Sequence, residues 1–268
     1  MRILQYNVLD GCENDPERLG RLGAWLRAQA ADVVGLNELN GWDAPPCIAA
    51  RAAEWGYTAA ELNVTGRSDY FVGVLARHPV TPVGKREVGF AHGLLHVRIC
   101  GVHFLITHLT PGRAADRENE AAIVAEIVGP ITEPLVLMGD LNTLSPLDRD
   151  LHERGNLREL LQSDAGLRSK FLNAAGDINY TPMQRLLDAG LTDLGADVPV
   201  RHTVPTAVNT DKMHAAPMRL DYMLANAAFA ESAGPARPLH SADTDRLSDH
   251  YPVGCQFGAE QGRGHVAG

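Results

Sequence analysis

The sequence predicts an α/β protein built on mixed β-sheets, and two observations carry that expectation. Short apolar, β-branched runs alternate with amphipathic stretches along the chain, so strands and helices interleave. The runs Leu94–Ile99 and Val102–Thr107 are so close that only an antiparallel hairpin can join them. Other strand-like runs are separated by helices and can pair in parallel, so the sheet system is mixed.

Taken in order, Arg2–Tyr6 is the first strand. A helix begins near Pro16, where a first helical position tolerates proline, and it sets Leu19, Leu22, Trp25 and Leu26 on one face. Val33–Leu36 is a strand, Ile48–Trp55 a short helix and Phe71–Ala76 a further strand. Val88–His96 has glycines on both sides of Phe90, which suits a hairpin or bend before the paired runs at 94–99 and 102–107. The next helix begins near Arg113 and sets Ala121, Val124, Ala125 and Val128 at helical spacing. Leu135–Gly139 is a strand, followed by helical stretches at Leu147–Leu161 and Pro182–Ala189. Leu220–Ala225 and Pro252–Phe257 complete the strands, and the Gly-rich segment from Ala259 onward is expected to fray.

Composition bounds the function. At roughly 150 residues per domain, a chain of 268 residues is one large domain or two small ones. Either can bury enough core to fold without a disulfide or zinc staple. Cys12, Cys47, Cys100 and Cys255 are scattered with no CxxC pair, which argues against a zinc cluster or a secreted disulfide frame. No apolar run approaches the roughly 18 residues of a membrane span. The opening residues lack the charged and apolar regions of a signal peptide, so a soluble cytoplasmic protein is expected. The net charge of −9 argues against nucleic-acid binding by bulk positive charge. It leaves room for a nuclease whose bound metal ions supply positive charge locally.

Polar residues stand where the strands end. Asn7 follows the first strand, Glu38 follows Val33–Leu36, and His108 closes Val102–Thr107. Gly139-Asp140-Leu141-Asn142 follows an apolar run, Asp221 lies within Arg219-Leu220-Asp221-Tyr222, and Ser248-Asp249-His250 precedes the last strand. Taken singly these are ordinary: a GDxN is often a turn, and a lone Glu, His or SDH often caps a helix or lies in a loop. As a set they bring Glu38, Asp140, Asp221 and Asp249 toward one pocket, where like charges are unfavourable unless something positive sits among them. Hard oxygen donors with few nitrogens suit Mg²⁺ or Mn²⁺ better than zinc.

These segments together resemble the endonuclease/exonuclease/phosphatase superfamily, which includes deoxyribonuclease I, AP endonucleases, sphingomyelinases and inositol polyphosphate 5-phosphatases. The resemblance rests on Gln5-Tyr6-Asn7-Val8, Gly35-Leu36-Asn37-Glu38, Ile106-Thr107-His108-Leu109, Gly139-Asp140-Leu141-Asn142, Arg219-Leu220-Asp221-Tyr222 and Ser248-Asp249-His250-Tyr251-Pro252. It implies a deoxyribonuclease I-like α/β (α+β) fold, a four-layer sandwich of two packed mixed sheets flanked by helices. A site assembled from so much of the chain also implies one domain over 1–258, with 259–268 as a flexible tail.

The roles that the resemblance implies fall position by position. Glu38 is the principal metal ligand, with Asn7 and Asp249 also near the metal. Asp140 orients or deprotonates the attacking water, or ligates a second ion. Asn142 binds phosphoryl oxygens. His250 stabilises the pentacovalent phosphate or transfers a proton, with Asp221 fixing its orientation. The implied reaction is in-line attack of a metal-activated water on phosphorus, with Mg²⁺ or Mn²⁺ as cofactor. AP endonucleases tend to carry Tyr where this chain has His108, so the sequence leans toward the deoxyribonuclease I and sphingomyelinase branch.

Substrate recognition is less legible. Asp69 either partners His108 or simply starts a strand. Arg113 and Arg117 either meet phosphate at a helix N-terminus or form a solvated face. Trp42 either stacks on a base or sugar or covers its loop. Arg67, Arg77, His78 and His214 lie in loops that could flank the cleft. The expected substrate is a phosphoester: a small molecule, a lipid headgroup or DNA. Small or lipid-derived phosphodiesters are the leading expectation, a DNA endonuclease or exonuclease the alternative, and a non-catalytic module binding a phosphorylated ligand the third reading. No obligate protein partner is inferred.

Overall fold

A computed structural model describes residues 1–209, 211–214 and 216–258, and within them the apolar runs form two six-stranded sheets. The segment from Ala259 that was expected to fray lies outside the described residues. The strands are β1 (Arg2–Asn7), β2 (Val33–Asn37), β3 (Ala59–Asn63), β4 (Val72–Ala76), β5 (Thr81–Arg86) and β6 (Leu94–Ile99). They continue with β7 (Val102–Thr107), β8 (Leu135–Asp140), β9 (Thr192–Asp193), β10 (Asp221–Ala225), β11 (Arg237–Pro238) and β12 (Val253–Gln256). The helices are α1 (Pro16–Gln29), α2 (Ile48–Glu54), α3 (Ala114–Val128), α4 (Arg149–Arg154), α5 (Leu157–Gln162), α6 (Ala165–Phe171), α7 (Thr181–Asp188) and α8 (Ala227–Ala230).

One sheet runs β11-β12-β1-β2-β4-β3 and the other β5-β6-β7-β8-β10-β9. In each, one central pair is parallel (β1 with β2, β7 with β8) and the flanking pairs are antiparallel. The hairpin expected between 94–99 and 102–107 is β6–β7.

Side-chain parity then builds four layers. Ile3 of β1, Val33 of β2, Phe104 of β7 and Val136 and Met138 of β8 point between the sheets and share one core. The alternate residues point outward. Leu4, Val34 and Leu36 bury Leu22 and Leu26 of α1 together with Trp55, while Leu105, Leu137 and Leu224 bury Val124 of α3 and Leu186 of α7. Burying one such side chain contributes about 1.5–3 kcal/mol relative to exposure. These cores hold the chain without staples, and all four cysteines are free.

The helix starting at Pro16 begins as its sequence indicates. The Asp15 carboxylate accepts from the Arg18 backbone N–H at 2.9 Å, with Pro16 in the first turn. Arg18 then turns inward and donates to the carbonyls of Val8 and Leu9 at 2.7 and 2.8 Å. This ties α1 to the segment that follows Asn7.

Several elements differ from the sequence expectation. Edge strands β3 and β5 escape a periodicity search because β3 reads Ala-Ala-Glu-Leu-Asn and β5 is exposed throughout and contains Pro82 and Gly84. Sheet pairing, not local propensity, makes them strands. The stretch Leu147–Leu161 is two helices, because Gly155 and Asn156 break it and Asn156 takes a left-handed φ of 49°. No helix among the described residues is long and apolar enough to cross a membrane.

Buried histidines away from the strand ends make stability acid-sensitive. Burial pushes His96 and His152 down from 6.5 to about 4. Between those values the unfolded chain binds protons that the folded chain does not, so stability falls as pH falls. Thermal melting followed from pH 6.5 to about 4 should show a steadily decreasing Tm. His96→Asn together with His152→Asn should flatten that slope; an unchanged slope would contradict the assignment.

The same inward parity carries polar residues at one edge of the sandwich. Asn7, Asn37, Asp140 and Asp221 share the faces of Ile3, Val33, Met138 and Met223 respectively. The C-terminal ends of the parallel strands and the N-terminal ends of their antiparallel partners meet there.

Candidate active site

Asn37 joins the two sheets beneath this edge. Its Oδ1 accepts from Gln5 Nε2 and from the Asp140 backbone N–H, both at 2.8 Å, and its Nδ2 donates to the Thr107 carbonyl at 3.0 Å. A fully buried amide with every contact across strands sets the height of Asp140 relative to β2. Gly139 permits the approach: a Cβ there would lie 1.8 Å from the Thr107 carbonyl oxygen. Glu38, just past β2, takes a left-handed φ of 59°, which costs about 1–2 kcal/mol for a residue with a Cβ. The turn directs its carboxylate to Asn7 Nδ2 at 2.8 Å and to the Asp10 backbone N–H at 3.0 Å.

Asp140 Oδ2 is the focus of the site. Asn7 Nδ2 lies 3.2 Å away, His108 Nε2 3.4 Å and His250 Nε2 3.7 Å. Its Oδ1 accepts from the Asn142 backbone N–H at 2.9 Å. Burial alone would raise this carboxyl, but the His250 and His108 imidazoles outweigh it and hold Asp140 well below the usual carboxylate range. His250 is held in turn by Asp221, whose Oδ2 lies 2.7 Å from Nδ1. Burial opposes charge on His250, yet Asp221, Asp140 and Asp249 raise its pKa well above that of an ordinary histidine. Burial raises Glu38, with His108 and the Asn7 hydrogen bond opposing. Ser248 Oγ fixes the segment before β12 by donating to the Asn7 carbonyl at 2.7 Å.

Glu38, His108, Asp140, Asn142 and His250 line a cleft of about 300 Å³ with Tyr70, His92, Pro111, Lys170, Asp211, His214 and Asp249. Glu38, His108 and Asp140 offer ligand atoms within 4.8 Å of one another, as do His214, Asp249 and His250. His214 Nδ1 is buried without a hydrogen-bond partner and lies 3.5 Å from Asp249 Oδ2. Crowded carboxylates with an orphaned imidazole nitrogen beside them fit a divalent cation, so this cluster is able to hold one.

Asn7, Glu38, His108, Asp140, Asn142, Asp221, Asp249 and His250 are thus brought together. Asn142, expected to bind phosphoryl oxygens, lines the cleft. Its Nδ2 donates to the Leu109 carbonyl and lies 3.0 Å from His108 Nε2, so in this arrangement it steadies His108 and its loop.

The four residues expected to bind substrate do not line the cleft. Trp42 is fully buried, donating from Nε1 to the Gly11 carbonyl at 2.9 Å and packing edge-on against Trp55, so it has no face to offer a base. Arg117 is 1% exposed and donates to the carbonyls of Thr110, Gly112 and Lys170, so it braces the protein. Arg113 is exposed and pairs with Asp116 at 3.0 Å. Asp69 is exposed and does not reach His108. The neighbour of His108 is His92, stacked at 4.5 Å, whose Nδ1 is 2.6 Å from Ser68 Oγ.

Among the loop residues, Arg67 is exposed outside the cleft and His214 is in it. Arg77 and His78 lie at the far end of β4, His78 facing Asp32 at 3.7 Å. Sequence reasoning missed Asn37, His92 and Lys170. Asn37 stands beside Glu38 at a strand end and was open to notice, whereas His92 and Lys170 come from a hairpin loop and a short helix with no motif around them.

The model of the Endonuclease/Exonuclease/phosphatase family matches residues 4–250. A search of curated proteins finds no match to this sequence. Among solved structures, an AP endonuclease from Archaeoglobus fulgidus aligns with a TM-score of 0.71 at 14% identity, covering 97% of this chain and 100% of that one. The 3' phosphatase NExo from Neisseria, bound to a product DNA hairpin, aligns with a TM-score of 0.69 at 20% identity over 96% of this chain and 99% of that one. A humanized D. rerio TDP2 aligns with a TM-score of 0.60 at 20% identity over 97% and 99%. At these identities the likeness carries the deoxyribonuclease I-like fold. The chain belongs to the Endonuclease/Exonuclease/phosphatase family, a family of phosphoester hydrolases.

Proposed function

We propose that this chain is a Mg²⁺- or Mn²⁺-dependent phosphodiesterase acting on small or lipid-derived phosphoesters. The observation that carries the reading is the convergence of Asn7, His108 and His250 on Asp140 Oδ2, with His250 held by Asp221. Glu38, Asn7 and Asp249 are the residues to hold the cation, with oxygen donors that suit a hard ion. A bound divalent ion supplies charge neutralisation at the phosphoryl group and acidifies a water. Asp140, kept ionised, is placed to orient the attacking water and accept its proton at Oδ2. His250, kept protonated by Asp221, faces the developing charge on phosphorus or the leaving oxygen through Nε2. Asn142 and His92 steady His108 from two sides. We read residues 1–258 as one domain, because the site draws on strands of both sheets.

The size of the cleft and the net charge of −9 support a compact substrate, and among the described residues no arginine lines the cleft. DNA is the second reading, favoured by structural neighbours that are an AP endonuclease and a 3' phosphatase bound to a DNA hairpin. One panel decides, run with EDTA and then with Mg²⁺ or Mn²⁺ restored: a bis-aryl phosphodiester, an aryl phosphomonoester, supercoiled plasmid, abasic duplex and sphingomyelin. The expected result is metal-restored hydrolysis of small or lipid diesters. Plasmid nicking or abasic cleavage in preference to these would favour the nuclease, and silence with both metals would favour a phospho-ligand binding module.

A further inference from the structure

One buried lysine of the cleft makes no salt bridge among the described residues. Lys170, in the last turn of α6, is 4% exposed and lines the cleft with Glu38, Asp140, Asp211, Asp249 and His250. Among the described residues its ammonium makes no salt bridge within 4.0 Å. The neighbouring carboxylates are engaged elsewhere: Glu38 with Asn7 and the Asp10 backbone, Asp140 with Asn7 and the Asn142 backbone, Asp221 with His250, and Asp211 with the Met213 backbone. Its Nζ lies over the Phe171 ring, 5.2 Å from the centroid.

An ammonium held at the lining of a cleft and in no direct ion pair is free to donate to a ligand that enters it. Its position is also fixed from behind. The fully buried Arg117 donates to the Lys170 carbonyl and, at 2.9 and 2.8 Å, to the carbonyls of Thr110 and Gly112, which flank Pro111. Two walls of the cleft, at Pro111 and at Lys170, therefore hang on one guanidinium.

We propose that Lys170 is a phosphate-binding residue whose ammonium donates to a non-bridging oxygen of the substrate phosphoryl group. The inference rests on the phosphoesterase reading and adds a cation from the chain itself to a pocket otherwise rich in carboxylates. A charge-assisted hydrogen bond of this kind distinguishes a phosphoryl group from a neutral ester.

The test uses inorganic phosphate as the probe, titrated calorimetrically into the whole chain with and without Mg²⁺. Lys170→Met keeps an unbranched apolar side chain of similar length and removes the charge. It should weaken phosphate binding about 10- to 100-fold with Tm unchanged or raised, and Lys170→Arg should recover part of the affinity. In the unmodified chain, the Lys170 Nζ resonance should shift as phosphate is added, a readout independent of any variant's folding. Unchanged phosphate affinity in folded Lys170→Met, or a Lys170 resonance indifferent to phosphate, would overturn the proposal even if esters are hydrolysed. Lys170-dependent phosphate binding by a chain that hydrolyses no ester would uphold it while removing the phosphoesterase reading.

Discussion

Asp140→Asn should lower kcat/KM for a phosphodiester by about 10³–10⁴ while the protein stays folded. The substitution keeps the shape of the side chain and an oxygen for the Asn142 backbone N–H, which donates to Oδ1 at 2.9 Å. It removes the charge and the proton acceptor at Oδ2, on which Asn7, His108 and His250 converge. Two further effects act in the same direction: His108 and His250 each lose a carboxylate that favours their protonated forms. Replacing a buried charge by a neutral isostere should leave Tm within a few degrees. Steady-state kinetics beside a thermal melt check both halves, and near-normal turnover in the folded variant would remove Asp140 from the chemistry.

Asp221→Asn should cost up to about 10⁴ in turnover, the scale seen when a buried Asp that orients a histidine loses its charge. The loss should depend on pH. Asp221 is the largest influence raising His250 above 6.5, so His250 keeps its proton to higher pH than an ordinary histidine. The alkaline limb of the kcat/KM profile therefore lies above 6.5 and should move to lower pH in the variant. The stability consequence has the same sign. A charged His250 stabilises the fold fully below 6.5, and that contribution is lost as pH rises through the raised folded value. An alkaline limb that does not move would mean that another group titrates.

The extent to which the site could be read from sequence follows from strand geometry. Asn7, Glu38, Asp140, Asp221 and Asp249 stand at the ends of apolar runs, and a two-residue period fixes which face each strand-end residue joins. Asn7 and Asp140 therefore share faces with Ile3 and Met138, and their meeting was open to inference. The β6–β7 hairpin was open to inference from the short gap between its runs, and the mixed sheets from the helices that separate other strands.

Tertiary packing decides the rest. Trp42 follows Glu38 closely in sequence, yet its indole turns inward to the Gly11 carbonyl. Arg117 sits at the start of α3 like a phosphate ligand, yet three backbone carbonyls claim its guanidinium. Lys170 lies on a seven-residue helix far along the chain from every motif, and only the fold of α6 brings it to the cleft. Local pattern reports which face a residue joins, but not what competes for a side chain once it arrives.

Isotopic labelling reads directly whether water attacks phosphorus with Asp140 as its base. A small phosphodiester is turned over by the metal-restored chain in water enriched in ¹⁸O, and both products are weighed by mass spectrometry. The account predicts that one ¹⁸O per turnover enters the phosphoryl product and none enters the alcohol, with incorporation falling in step with turnover in Asp140→Asn. Label in the alcohol, or incorporation undiminished in folded Asp140→Asn, would contradict it.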